Sequence, residues 1–182
     1  MGLLTGSTGL IGTGLGGIAL DKAIQRDADL EPSQSFNLLV DDPLSFTEAR
    51  QVVVSSRLIS ILSAVAAPLC MCTFIFPGSV NFFVFLGLAQ FIIFITLSPV
   101  NSALLWVLPL SERPLGIAFT TLCIHILGDA ISPAIIGEIK EATGSWNRSL
   151  LLGCLPLVLT VFLWLLAWRS ASKNVGRLKI VL

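Results

Sequence analysis

Residues 58–111, LISILSAVAAPLCMCTFIFPGSVNFFVFLGLAQFIIFITLSPVNSALLWVLPLS, contain no Asp, Glu, Lys or Arg over 54 consecutive positions. No soluble core needs so long an uncharged stretch, whereas a helix crossing about 30 Å of hydrocarbon needs about 20 mainly apolar residues. Phe76-Pro77-Gly78-Ser79 is a turn signal, which divides the stretch into two spans, residues 58–76 and 81–108. Outward from these, residues 1–20, 114–137 and 149–168 are apolar runs of membrane length. The expected fold is therefore an all-α polytopic membrane protein with five transmembrane helices, a loop at residues 21–57 and a tail at 169–182. Pro114 suits the first turn of a helix, where its missing N–H costs nothing. Pro99, Pro133 and Pro156 fall inside spans and predict kinks.

The composition agrees. Of 182 residues, 54% are apolar and 12% charged, with eleven acidic residues balancing eleven basic ones, and the mean hydropathy is +0.90. A formal net charge of zero excludes a nucleic-acid binder, which would need a basic field over phosphates.

Lys and Arg collect in cytoplasmic loops. The loop after the first span, the link after the third and the tail together hold Lys22, Arg26, Arg50, Arg57, Arg113, Arg169, Lys173, Arg177 and Lys179, against Lys140 and Arg148 on the other side. Nine against two places the C-terminus in the cytoplasm and the N-terminus outside. Asn147-Arg148-Ser149, a glycosylation sequon next to the bilayer, falls on the non-cytoplasmic side. The N-terminal run lacks the basic region of a secretory signal, and Gly6 stands where myristoylation requires Ser or Thr.

Cys70, Cys72, Cys123 and Cys154 all fall within spans, without the spacing of a metal site, and read as buried thiols. With no Tyr in the chain, Trp146 and Trp168 are the expected interfacial anchors, about 33 Å apart along a helix. No catalytic set of nucleophile, base and acid is present, so neither enzymatic activity nor a cofactor is expected.

Gly12-Thr13-Gly14-Leu15-Gly16-Gly17 formally matches a dinucleotide-binding fingerprint, but no βαβ unit surrounds it. Gly2, Gly6, Gly9, Gly12 and Gly16 instead form one helical face on which a neighbouring backbone can approach, with substrate lining as the alternative. In the third span, Gln90 and Asn101 either line a cavity or hydrogen-bond across helices. Thr120 and Thr121 are similarly ambiguous. The residues between the first two spans are acidic, with Pro32, Pro43 and several serines, and read as a flexible insertion with a short amphipathic turn at residues 35–40.

The fourth span holds His125, the only histidine of the chain, and Asp129, an acid in the middle of an apolar run. Four residues apart, they share one helix face. A carboxylate in hydrocarbon is costly and normally faces a bundle interior or a water-filled cavity, so the pair can carry a proton or hold a polar headgroup. A structural pair that satisfies kinked backbone near Pro133 is the alternative. Gly128 and Ser132-Pro133 predict a thinned, bent helix there, and broken helices accompany transporter binding sites.

Three resemblances follow. Gly17, Asp21, Lys22 and Arg26 match the G-x-x-x-D-[RK]-x-G-[RK]-[RK] loop of the major facilitator superfamily, with departures at Ile24 and Gln25; the resemblance implies a charge network closing a cytoplasmic gate, and a helix end whose charges reach for headgroups is the alternative. IHILGDAISPAIIGEI, carrying His125, Gly128, Asp129, Ser132, Pro133 and Gly137, resembles the eleventh helix of Spinster-type transporters of that superfamily. GLLTGSTGLIGTGLGGIALDK resembles their glycine-rich eighth helix. The five spans would then be helices eight to twelve, most of the C-terminal six-helix half, and the chain a C-terminal fragment whose missing partner is the N-terminal half. The resemblance implies a lipid substrate of the sphingolipid, sphingosine phosphate or lysophospholipid class, alternating access, proton coupling in some members, and a late endosomal, lysosomal or plasma membrane. A non-transporting membrane subunit and an intramembrane lipid-modifying enzyme are the competing readings.

Overall fold

The computed structural model describes residues 2–30, 43–76 and 78–181, and all their regular structure is helical. The elements are α1 Gly2–Leu30, α2 Pro43–Ile75, α3 Ser79–Val107, α4 Arg113–Cys123, a π-helical segment Ile124–Ile131, α5 Ser132–Thr143, α6 Trp146–Gly153 and α7 Leu155–Val181. Five stretches are long and apolar enough to cross a membrane: Gly2–Asp29, Thr47–Ile75, Ser79–Val107, Arg113–Thr143 and Trp146–Gly176.

The boundaries have local causes. Gly78 starts α3 at φ 126°, a conformation that L side chains rarely adopt. Leu108 leaves it in extended conformation ahead of Pro109, as the residue before a proline prefers. Gly144 closes α5 at φ 67°, and its N–H donates to the Lys140 carbonyl, the left-handed cap that satisfies an otherwise orphaned acceptor. Pro114 lies in the first turn of α4.

α2 sits centrally, packed on α3 and α7, while α1 packs on α3. The buried face of α2 is small and partly polar: Ser55, Ser56, Ile59, Ser60, Ala66 and Ala67. Lipid tails are as apolar as leucine, so helices associate through close approach, and small residues allow it. The hydroxyls cost little because they bond within the helix: Ser55 Oγ donates to the Gln51 carbonyl at 2.9 Å and Ser60 Oγ to the Ser56 carbonyl at 2.7 Å.

The glycine face of α1 meets α3 over part of its length. A Cβ on Gly9 would touch the Phe94 ring at 3.4 Å, and one on Gly12 would sit 2.8 Å from Phe94 Cβ and 3.1 Å from the Phe91 carbonyl oxygen. One on Gly16 would collide with the Ile95 carbonyl. Gly6 does not take part; nothing lies within 4 Å of a Cβ built there, nor at Gly128. A periodic stripe marks the face of a helix but not how far along it the neighbour runs.

Two other expectations change. Residues 21–57 are not a loop at either end: α1 continues through Leu30 and α2 begins at Pro43. Gly17, Asp21, Lys22 and Arg26 therefore lie on a helix rather than on a gating loop. Charge ends a hydrophobic run without ending a helix, since Asp, Lys and Arg are tolerated in helices once they reach water. The amphipathic turn at residues 35–40 and Pro77 of the turn signal lie outside the described residues. The fifth span is also interrupted, with α6 ending at Gly153 and α7 starting after Cys154. Pro156 cannot donate to the Leu152 carbonyl four residues back, which places the break where a kink is expected. Pro99 and Pro68 are accommodated inside continuous helices.

Candidate functional site

Pro133 has no N–H for the Asp129 carbonyl, and its ring crowds that oxygen. The chain answers with a wider turn, so that residues 124–131 adopt π-helical geometry between α4 and α5. Such insertions are rare and recur at functional sites. His125 and Asp129 stand on this segment, with Nδ1 and Oδ2 2.6 Å apart. An ionised Asp129 accepts from the imidazole N–H. Both side chains are about two-thirds exposed, at 67% and 68%. They lie near the middle of the Arg113–Thr143 span, none of which is buried within the described residues.

The remaining expected site residues are dispersed. Ser132 is exposed at the start of α5, and Asn101 is exposed on α3. Gln90 lies between α3 and α1, its Nε2 donating to Thr5 Oγ1 at 3.2 Å, while its buried Oε1 has no partner among the described residues. The π segment touches only its flanking helices among the described elements, so Gln90 and Asn101 do not join His125 and Asp129. Thr120 and Thr121 donate to the Gly116 and Ile117 carbonyls of their own helix.

A second set of polar residues gathers where the uncharged runs end. Arg50 of α2 is bonded to Asp27 of α1, its Nε meeting Oδ2 at 2.5 Å and its Nη2 the carbonyl oxygen at 2.6 Å. Arg113 joins Glu48 at 2.8 Å, tying the start of α4 to α2. Arg57 lies 5.9 Å from the Trp168 ring centroid, and Lys140 stands 5.4 Å from that of Trp146, so both expected anchors of the fifth span sit under a cation. Lys22 and Arg26 line a cavity of about 650 Å³ between α1, α2 and α7. Asp21 is exposed on the same helix.

Sequence reasoning missed several pairings. Cys70 and Cys154 bring their sulfurs within 3.2 Å although they are 84 positions apart, and Asn147 Nδ2 of the sequon donates to the Phe74 carbonyl at 2.6 Å. Neither leaves a local signal. Cys154 is buried, whereas Cys70, Cys72 and Cys123 are only partly so.

Five apolar spans, an all-helical fold and polar clusters at their ends define a polytopic α-helical membrane protein. Over 108 residues, 59% of its length, the chain is 30% identical to the probable sphingolipid transporter spinster homolog 3 of Arabidopsis thaliana. Homologs 2 and 1 of the same plant match over 108 residues at 27% and 28%. These matches support a Spinster-type relationship. The matched segment spans 21–22% of each relative's length. No family model and no solved structure matches the chain.

Proposed function

We propose that the five spans are helices eight to twelve of a major facilitator superfamily transporter that moves single-headed lipids of the sphingolipid, sphingosine phosphate or lysophospholipid class by alternating access. The observation that carries this reading is the His125–Asp129 pair on its π-helical turn. Against lipid tails, two ionisable groups exposed at mid-span would be strongly disfavoured, so such groups face a polar cavity or another polypeptide. A sphingoid ammonium can replace the imidazole as the partner of the Asp129 carboxylate, and the released imidazole can carry a proton. Irregular backbone at mid-membrane is tolerated where it lines a cavity. The names of the three relatives, all transporters, support transport over lipid chemistry. In this reading the missing partner is the transporter's other half, the C-terminus is cytoplasmic, and Asp21, Lys22 and Arg26 bear on the gate from the end of α1.

Labelling with a photoactivatable sphingosine in membranes containing the chain tests the site. Cross-links are expected on residues 124–133, and Asp129→Asn should lower them about tenfold, the loss expected when a charge-assisted contact of roughly 1.5 kcal/mol is removed. Labelling elsewhere, or labelling insensitive to Asp129→Asn, overturns the assignment.

A further inference from the structure

Lys22 and Arg26, which that reading sets at the gate, also line the cavity between α1, α2 and α7, to which the reading gives no occupant. Its lining joins two chemistries: the cations Lys22, Arg26 and Arg57, and an apolar surface that includes Ala19, Leu58 and Ile61. Its one carboxylate, Asp27, is held by Arg50. Among the described residues, Lys22, Arg26 and Arg57 have no carboxylate partner. Arg57 is steadied instead over the Trp168 ring, 5.9 Å from its centroid. These cations stand where the uncharged run of α1 ends at Leu20 and that of α2 begins at Leu58. That is the depth of lipid headgroups, where tryptophan and snorkelling cations are also favoured.

We infer that this cavity binds an anionic phospholipid, its phosphate held by Lys22, Arg26 and Arg57 and an acyl chain lying against Ala19 and Ile61. Basic pockets between transmembrane helices recognise headgroups in this way. The small side chain of Ala19 leaves room for a chain, and the apolar lining commits the site to a lipid rather than to a soluble phosphate ester. The site does not depend on whether His125 and Asp129 handle a transported lipid.

Native mass spectrometry of the detergent-purified chain, titrated with phosphatidylglycerol, phosphatidylcholine or glycerol 3-phosphate, tests the inference. Phosphatidylglycerol should be retained about fivefold better than phosphatidylcholine, given the attraction each Lys or Arg exerts on anionic lipid. Lys22→Gln/Arg26→Gln/Arg57→Gln should abolish the preference, and Arg57→Lys and Lys140→Gln/Arg148→Gln should keep it. The single variants Lys22→Gln and Arg26→Gln, at exposed side chains, should each lower it about twofold, and they decide the matter if circular dichroism shows the triple variant unfolded. Equal retention of the two lipids, or an undiminished preference in folded variants, overturns the inference. So does glycerol 3-phosphate held as firmly as the lipid, which would make the occupant a free phosphate ester.

Discussion

Gly16 of α1 lies so close to the Ile95 carbonyl of α3 that no side chain fits between them. The two helices are thereby held at a separation that only glycine allows, and Gly12 beside Phe94 extends the contact by one turn. Helices in lipid rely on such packing because burial from water contributes nothing between two lipid-exposed surfaces.

Gly16→Ala should therefore destabilise the α1–α3 contact by about 1–3 kcal/mol, the usual result of overpacking. Gly6→Ala and Gly14→Ala, with open space around the new methyl, should be neutral or stabilise α1 by up to about 1 kcal/mol through helix propensity. Unfolding in detergent followed by far-UV circular dichroism measures both, and equal effects at Gly6 and Gly16 would contradict the packing.

Cys70 and Cys154 should cross-link. Their sulfurs are 3.2 Å apart, so a shift of about 1 Å reaches bonding distance, and copper phenanthroline supplies the oxidant that takes two electrons and two protons from the thiols. Of the four cysteines, maleimide-polyethylene glycol added after oxidation to the denatured, unreduced chain should label only Cys72 and Cys123. Four labels would show that α2 does not meet the break between α6 and α7.

Gln90 reads as an interhelical donor with a stranded acceptor. Its Nε2 reaches Thr5, but Oε1 is buried without a partner among the described residues. An unpaired buried acceptor costs about 1–3 kcal/mol, so Gln90→Leu should leave thermal stability unchanged or raise it slightly. A loss beyond about 2 kcal/mol would mean that the oxygen is satisfied by a group outside the described residues.

Tags at the two ends should report opposite faces. An odd number of crossings separates them, and the nine-against-two distribution of Lys and Arg puts the C-terminal tag in the cytoplasm. Antibody access before and after selective permeabilisation decides it. Two tags on one face would remove a span.

Hydropathy showed the five spans, because the lack of charge from Leu58 to Ser111 reports an apolar solvent directly. It could not show that α1 and α2 continue past the apolar runs, since Asp21 and Lys22 stop the apolar run but not the helix. Gly128 and Pro133 marked where the fourth span deforms, whereas a π turn rather than a kink follows from how the chain accommodates the Asp129 carbonyl. Pairings between distant segments, Cys70 with Cys154 and Glu48 with Arg113, depend on how the spans pack side by side. No single stretch of sequence contains that information.

The most direct test reconstitutes a polypeptide containing these five spans into vesicles and follows transbilayer movement of a fluorescent sphingosine. The account predicts that Asp129→Asn and His125→Ala each abolish most of the protein-dependent movement, while Gly14→Ala leaves it intact. Movement of the lipid at the same rate with both groups of the pair removed would contradict it.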